Sequence, residues 1–287
     1  GTFTLLGTGS FVGINFNGQS SGVNANNINN NIVSDISLTS TSGTFYGIYN
    51  LSGASANTVN INGNTVKNIG LVTTTGSAYM IHWTSATNVS VSNNTVYGVT
   101  RNGSGGLYGL YSASSSVNET VNGNTVYNLS NTGASSSSIY GIYQGTASGT
   151  KLFQNNTVYN LTGNGGMTLY GLYVGYGTTL DMSGNTVYGL TNTGGTSGTI
   201  YGISRGSSAT TANIYNNKVY GLSSTSTGGV LYGLYIVGGT TTNTYNNIIG
   251  GLTMPAVNSA IPLVGIYISG GTTSNVYYNT VRIPNGT

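Results

Sequence analysis

The element from Asn124 to Leu129, which reads Asn-Thr-Val-Tyr-Asn-Leu, decides the interpretation of the fold. Close copies of it begin at Asn94, Asn156 and Asn185. Its leading asparagine occurs nine times along the 287 residues, at spacings of 29 to 33 residues: Asn31, Asn64, Asn94, Asn124, Asn156, Asn185, Asn217, Asn247 and Asn279. Self-similarity at a fixed period of this length indicates a repeat architecture.

A second element, Tyr-Gly-(Ile/Leu)-Tyr, lies between consecutive copies of the first. It is clear at Tyr46 to Tyr49 and at Tyr140 to Tyr143, and it is weaker at Val12 to Asn15. Both elements are short β-branched and aromatic runs bounded by Gly, Ser, Thr and Asn, which is typical of β-strands. An apolar residue stands three positions before most of the leading asparagines, as at Ile61, so a third strand is expected there. Each repeat therefore predicts three strands.

Two apolar columns run through the repeats without interruption. Two positions after the asparagine stand Val33, Val66, Val96, Val126, Val158, Val187, Val219, Ile249 and Val281. The middle of the second element supplies Ile14, Ile48, Ile81, Leu110, Ile142, Leu172, Ile203, Leu234 and Ile266. If each repeat is one coil, these columns fill the interior as ladders at the inter-strand spacing of about 4.8 Å. The prediction is an all-β, right-handed parallel β-helix: one solenoid over residues 1–287, with about nine coils and a length of roughly 43 Å.

The asparagine column itself is expected to be buried at a turn. An amide can bond to the asparagine above and to the one below, and Asn tolerates left-handed backbone angles. The Gly-, Ser- and Thr-rich segments that vary in length, such as Thr191 to Thr199 and Ser130 to Ser138, are predicted to be surface loops, as is the surrounding of Asn164.

Tyrosine is unusually abundant, with 23 copies, and strand alternation places many of them outside. One predicted outward column is Tyr97, Tyr127, Tyr159, Tyr188 and Tyr220. The other is Tyr49, Tyr111, Tyr143, Tyr173, Tyr235 and Tyr267. Such rings can stack and stabilise the rod by themselves. They can also form a surface that binds sugar rings or a neighbouring rod.

The repeats resemble the right-handed parallel β-helices of the pectate-lyase-like superfamily, whose coils often read Gly-Ile-Tyr followed by Asn-Asn-Thr-Ile/Val. Matching stretches are Gly47 to Tyr49, Gly141 to Tyr143, Asn93 to Val96 and Asn155 to Val158. The chain is most similar to Asn-, Thr- and Tyr-rich versions in very large secreted surface proteins of Bacteroidetes-type bacteria. This resemblance implies an extracellular or cell-surface location. It is specific for fold and weak for activity, because the superfamily includes lyases, hydrolases, adhesins and fibre proteins.

The composition argues against several classes of partner. The net charge of +3 comes from six scattered Lys and Arg residues, so nucleic acid is not expected. There are no cysteines for disulfides or thiolate metal sites. No apolar run long enough to span a membrane appears in this segment. Charged residues are only 3% of the chain, so solubility depends on hydroxyls and amides.

Few residues can carry chemistry. The carboxylates are Asp35, Glu119 and Asp181. Glu119 is expected one strand spacing from Lys151, and Asp35 close to a lysine on the next coil. Both acids are interpreted as members of structural ion pairs or as solvated surface groups, with the modest contribution to stability that is typical of exposed pairs. His82 replaces the second Tyr of its element and is interpreted as a surface ladder substitution. No metal, cofactor or catalytic residue is expected, and the chain is predicted not to be an enzyme.

The sequence is compatible with several classes of function. The leading hypothesis is a structural or adhesive protein, either a fibre subunit or a stalk segment of a surface adhesin. The alternatives are a carbohydrate-binding module that uses the tyrosines and, more remotely, a polysaccharide lyase or hydrolase. Ice binding is least favoured, because the regular outward columns hold Tyr and not Thr. No end cap is visible in the sequence, so both ends are predicted to stack head to tail on further copies or coils.

Overall fold

The protein is a parallel β-solenoid built from three sheets, in agreement with the sequence prediction. A computed structural model describes residues 2–4, 8–17, 25–39, 42–51, 58–84, 86–114, 116–133, 137–146, 149–206, 209–255 and 262–283. All strand pairings in these ranges are parallel, and each strand pairs with the equivalent strand one repeat away. No helix occurs in them.

Coils contribute one strand to each sheet in the chain order B, C, A, except that one coil contributes two short strands to sheet A, Thr186–Tyr188 and Thr191–Thr193. Sheet A contains Thr2–Thr4, Ile32–Thr39, Thr65–Thr74, Thr95–Gly103, Thr125–Asn131, Thr157–Asn164, Thr186–Tyr188, Thr191–Thr193, Lys218–Ser224, Ile248–Thr253 and Thr280–Arg282. Sheet B contains Phe11–Phe16, Phe45–Asn50, Ala78–Trp83, Leu107–Ser112, Ser138–Gln144, Thr168–Val174, Thr199–Arg205, Val230–Val237 and Leu263–Ser269. Sheet C contains Ala25–Asn29, Thr58–Asn62, Asn88–Ser92, Asn118–Asn122, Thr150–Gln154, Thr179–Ser183, Thr211–Tyr215, Thr241–Tyr245 and Thr273–Tyr277.

The predicted interior columns are confirmed. Val66 and Ile81 are fully buried, and their register partners on the adjacent coils are the expected members of the same columns. The third column is also interior, and it includes Thr244, which is fully buried although it is polar. Full burial of one Val, Leu or Ile side chain contributes about 1.5–3 kcal/mol, so these ladders are the main source of stability.

The asparagine ladder is confirmed at the corner between sheets C and A. Asn124 donates from Nδ2 to Oδ1 of Asn156 at 2.9 Å and to the carbonyl oxygen of Val91 at 2.8 Å. Its backbone N–H donates to the same Oδ1 at 3.1 Å. The same Nδ2 to Oδ1 bond joins each neighbouring pair from Asn31 to Asn279 at 2.9 to 3.0 Å.

The expectation that the ladder asparagines take left-handed angles is wrong. The left-handed residue is the one before each of them, Asn or Gly in most coils, such as Asn93 with φ 56° and Gly123 with φ 66°. A residue in this conformation turns the chain sharply, and Asn and Gly adopt it at the lowest cost. The ladder side chain can then reach the next coil from the first residue after the turn.

A second left-handed position explains the Gly/Asn alternation in the first element. Asn68 has φ 55°, Gly98 has φ 66° and Asp35 occupies the same column with φ 59°. This residue interrupts strand alternation, so two interior residues three positions apart, such as Val96 and Val99, both point inward and are fully buried. The tyrosine between them points outward.

The loop predictions are partly wrong. Ser130 and Asn131 belong to a strand of sheet A, and Thr191–Thr193 is a strand of the same sheet. Asn131 and Asn192 are buried. The Nδ2 of Asn192 donates to the carbonyl oxygen of Met167 at 2.8 Å, which satisfies the backbone at the A–B corner. Asn164 is exposed, as predicted, but it ends a strand.

Candidate functional site

The tyrosine ladder on sheet A matches its prediction. The left-handed residue after each ring keeps the tyrosines on the outer face, one above the other. Neighbouring rings of Tyr97, Tyr127, Tyr159, Tyr188 and Tyr220 have centroids 4.7 to 4.9 Å apart and interplanar angles of 5° or less. The rings therefore form one flat stack along the rod.

The second predicted ladder lies on sheet B and has two departures from a pure tyrosine stack. His82 stands between Tyr49 and Tyr111, at centroid distances of 4.8 and 4.7 Å. Further along, Ser204 replaces the ring between Tyr173 and Tyr235. The remaining neighbours are stacked with centroids 4.9 to 5.2 Å apart.

A third ladder, which the sequence analysis missed, runs beside the second on sheet B. It contains Tyr46, Tyr79, Tyr108, Tyr140, Tyr170, Tyr201 and Tyr232, with neighbouring centroids 4.6 to 5.3 Å apart. Simple alternation places the first Tyr of Tyr-Gly-(Ile/Leu)-Tyr on the inner face with the Ile. In the structure Gly47 is the additional inward residue, and a Cβ there would lie 2.5 Å from the carbonyl oxygen of Met80 and 3.0 Å from a methyl of Val66. The Tyr-Gly pair, which recurs in most copies of the second element, is the sequence signal that could have predicted this ladder.

Packing of two ladders side by side partly shields their rings from water. In the coils after His82 the two rings of one coil meet edge to face, as for Tyr140 and Tyr143 at 4.9 Å and 77°. Burial is the main cause that raises the pKa of Tyr140 and of Tyr201 to about 12. These phenols stay protonated at physiological pH and present hydrogen-bond donors to solvent or a ligand.

His82 is a ladder member, as predicted, but its description as a surface residue is wrong. The side chain is 7% exposed and contacts the rings of Tyr46, Tyr49, Tyr79 and Tyr111 at 4.7 to 5.6 Å. Neither ring nitrogen has a hydrogen-bond partner in the described structure. Burial lowers the pKa of His82 to about 4, so the imidazole is neutral at pH 7.

The predicted pairing of Glu119 with Lys151 is confirmed, but the expectation of an exposed pair is wrong. Lys151 Nζ lies 2.9 Å from Glu119 Oε2, and both side chains are completely buried at the corner between sheets B and C. Glu119 Oε1 accepts hydrogen bonds from Trp83 Nε1 at 2.8 Å and from Ser112 Oγ at 2.5 Å. Lys151 Nζ also donates to the carbonyl oxygen of Ser116 at 3.1 Å. The pair therefore belongs to an internal network that has no access to a ligand.

The other two carboxylates, Asp35 and Asp181, lie on the outer surface, away from the Glu119–Lys151 pair. Asp35 accepts a hydrogen bond from Asn68 Nδ2 at 2.8 Å. This bond is the main cause that lowers the pKa of Asp35, and Lys67 adds a smaller effect. Asp181 accepts from Gln154 Nε2 at 3.1 Å on the outer face of sheet C. Since Glu119 points inward and Asp181 outward, these two carboxyls cannot flank one sugar as glycoside hydrolysis requires.

Two arginines are internal, which the sequence analysis did not anticipate. Arg101 donates from Nη1 to the carbonyl oxygen of Gly106 at 2.7 Å, and Arg205 donates from Nη1 to that of Val237 at 2.7 Å. Both are almost completely buried, and burial lowers the pKa of each to about 10. Their guanidinium groups satisfy carbonyl groups at the corners of the solenoid. With Lys151 they place half of the chain's six basic residues inside the rod.

Within the described ranges, no group of three or more His, Asp or Glu side chains is placed to hold a metal ion. The same ranges contain no helix that is long and apolar enough to cross a membrane.

Comparison with known proteins gives no match: no protein-family model, no curated protein and no solved structure is significantly similar to this chain.

Proposed function

We propose that this chain is a structural rod without catalytic activity, acting as a fibre subunit or as a stalk segment of a surface adhesin, and that its last coil stacks on another coil of the same kind. The observation that carries the proposal is the pairing of each described coil with the next through three parallel sheets and one continuous asparagine ladder, an arrangement that a further coil can extend. The interior columns of the last described coil are open to such a coil. Val281 is 45% exposed, whereas Val66 and Val96 in the same column are fully buried. Val276 is 52% exposed, whereas Ile61 in its column is fully buried.

The chemistry of the partner follows from these columns. Exposed ladder residues are covered best by a coil that presents matching apolar columns at the inter-strand spacing of about 4.8 Å. In earlier coils the backbone N–H of each ladder asparagine donates to Oδ1 of the asparagine on the next coil. A further coil would bring such an acceptor to the backbone N–H of Asn279. A coil of a further copy or of a longer chain meets these requirements. Such a head-to-tail contact is heterologous and can continue into a fibre.

An extracellular location is part of the proposal. The resemblance to secreted β-helices supports it. Immunogold labelling of intact and permeabilised cells of the source organism checks the location. Labelling only after permeabilisation would contradict it.

Carbohydrate binding is a second candidate function, and a specific observation favours it. Tyr220, the end ring of the five-ring ladder on sheet A, is 44% exposed, and its register partner on one side is a glycine. Aromatic surfaces at this exposure can stack on sugar rings, whose C–H groups are attracted to the negative ring face.

Sedimentation velocity over a range of concentrations, together with negative-stain microscopy, tests the rod. We expect the 29.3 kDa chain to associate into rods longer than its own length of roughly 43 Å. Val281→Lys places a charge in the exposed cross-section, where stacking would bury it, so association should be lost. Ile32→Lys is the matched control, because Ile32 is 67% exposed but points away from the axis on sheet A.

Two results would contradict the stacking model. One is a single species of 29.3 kDa at every concentration. The other is equal association of the native chain and the Val281→Lys variant.

A further inference from the structure

Stacked rings use their faces on one another, so a ligand that needs an aromatic face must bind where a ladder ends. Tyr220 is such an end. One face of its ring packs against Tyr188 at a centroid distance of 4.9 Å. On the other side its register partner is Gly250, which has no side chain to cover it.

The other ladder ends that have a neighbouring strand in the described structure face a residue with a side chain. Tyr97 ends the same stack at the opposite side, where its register partner is Lys67. On sheet B, the register partner of Tyr46 beyond the end of its ladder is Val12, and that of Tyr232 is Val264. Among the ladder ends that have a neighbouring strand in the described structure, Tyr220 is thus the one that faces a glycine.

The space above Gly250 is a recess one ring thick. A Cβ added to Gly250 would meet only one atom within 4 Å, the carbonyl oxygen of Arg282 at 3.3 Å. Arg282 is the next member of the column, so it lies two strand spacings, about 9.6 Å, from Tyr220. Stacked rings are separated by about half that distance, so one further ring fits between Tyr220 and Arg282. Ile248, 50% exposed, borders the recess beside Gly250.

The recess also concentrates the positive charge of the surface. Three of the six basic residues lie inside the rod, so Lys67, Lys218 and Arg282 remain for the surface. Lys218 and Arg282 are exposed and lie diagonally across the recess, on the strands on either side of Gly250. Among the described residues no carboxylate is near, because Glu119 is internal, Asp181 is on sheet C and Asp35 lies near the opposite end of sheet A.

We propose that the recess formed by Tyr220, Gly250, Ile248, Lys218 and Arg282 binds one anionic sugar residue of a polysaccharide. The C–H face of the sugar stacks on the free face of Tyr220 and takes the place of the missing ladder ring. Its carboxylate or sulfate pairs with Arg282 and Lys218 through charge-assisted hydrogen bonds. This site rests on the second candidate function, carbohydrate binding, and names its ligand class, and it does not depend on whether rods stack end to end.

Isothermal titration with β-1,4-trimannuronate and with neutral mannotriose tests the site, because the two probes share a backbone and differ in their carboxylates. We expect binding of the acidic trimer that weakens with added salt, and binding of the neutral trimer at least about tenfold weaker. Tyr220→Ala removes the stacking face, and Gly250→Tyr fills the recess with the missing ring. Each variant should weaken binding of the acidic trimer at least about tenfold. Arg282→Gln should lower affinity for the acidic trimer only.

The control is Tyr245→Ala, since the ring of Tyr245 is covered on both faces by Tyr215 and Tyr277 at 4.9 and 5.0 Å. It should bind as the native chain does. Circular dichroism checks that each variant is folded, and Arg282→Gln, at an exposed position, provides a test even if a ladder variant unfolds. The proposal is overturned if the native chain does not bind trimannuronate, if it binds both trimers equally, or if folded Gly250→Tyr binds as well as native. If the Gly250→Tyr variant still assembles into rods but does not bind the sugar, the loss of binding is independent of the rod hypothesis.

Discussion

At the scale of single residues, the corner between sheets C and A depends on two adjacent positions with different tasks. A left-handed residue such as Gly123 makes the turn, and the following Asn124 joins its coil to the next. The exception is Tyr278, which occupies the turn position with φ 56° and is 82% exposed. A bulky residue in this conformation costs about 1–2 kcal/mol.

Replacing one ladder asparagine tests the hydrogen-bond assignment. Asn156→Leu removes the acceptor for both donors of Asn124 and leaves the carbonyl oxygen of Val121 without its side-chain donor. We expect a loss of about 1–3 kcal/mol in the free energy of unfolding, measured by urea denaturation. The exposed Asn164 should tolerate the same change. Equal losses in both variants would show that burial in the ladder is not the cause.

The buried histidine predicts a pH dependence. The pKa of His82 falls from 6.5 to about 4 on folding, so the unfolded chain binds a proton more readily at intermediate pH. Its effect on stability is absent above about pH 6.5 and grows as the pH falls towards 4, where it destabilises the fold by up to about 3 kcal/mol. His82→Phe keeps an aromatic ring and does not titrate. The stability of the native chain relative to this variant should therefore decline between pH 7 and pH 4. A constant difference would exclude the assigned burial.

At the scale of elements, the strand ends carry the polar interior. Trp83 and Ser112 lie at the ends of neighbouring strands of sheet B and donate to Glu119 on sheet C, which pairs with Lys151 on the next coil. The network thus joins two sheets and three consecutive coils. Buried ion pairs contribute little net stability, but their loss leaves an uncompensated charge.

A comparison of single and double variants tests this network. Lys151→Met leaves the carboxylate of Glu119 buried without its cation, and we expect a loss of about 3–5 kcal/mol in the free energy of unfolding. Adding Glu119→Gln removes the charge and keeps an acceptor oxygen for Trp83. The double variant should therefore be more stable than Lys151→Met alone, as measured by urea denaturation. Additive losses would contradict the charge argument. Lys67→Met, on the surface, should change stability by less than about 0.5 kcal/mol.

At the scale of the whole molecule, the rod is a one-dimensional stack in which each coil pairs with the coils before and after it. Stability is then roughly a sum over coils and their interfaces, and an uncovered end coil is the weakest unit. Association of the native chain should therefore also protect its last coil from local unfolding. Val281→Lys should destabilise that coil in addition to abolishing stacking. Hydrogen exchange of amides in residues 273–282, compared at low and high protein concentration, can detect the protection.

The sequence alone determined the repeat, the three strands per coil, the interior columns, the asparagine ladder and two of the tyrosine ladders. It could do so because a stacked coil repeats the same environment at the same offset, so each column is visible as a run of similar residues. Only the tertiary structure decided that Glu119, Lys151, Arg101 and Arg205 are internal, and that a third tyrosine ladder exists. Burial of a charge depends on partners from other sheets, and the third ladder depends on an added inward glycine that breaks strand alternation. Burial of the charges is not expressed in the period of the repeat, because it arises where the sheets meet in space. The third ladder is periodic, but its outward direction depends on the local backbone geometry at the glycine.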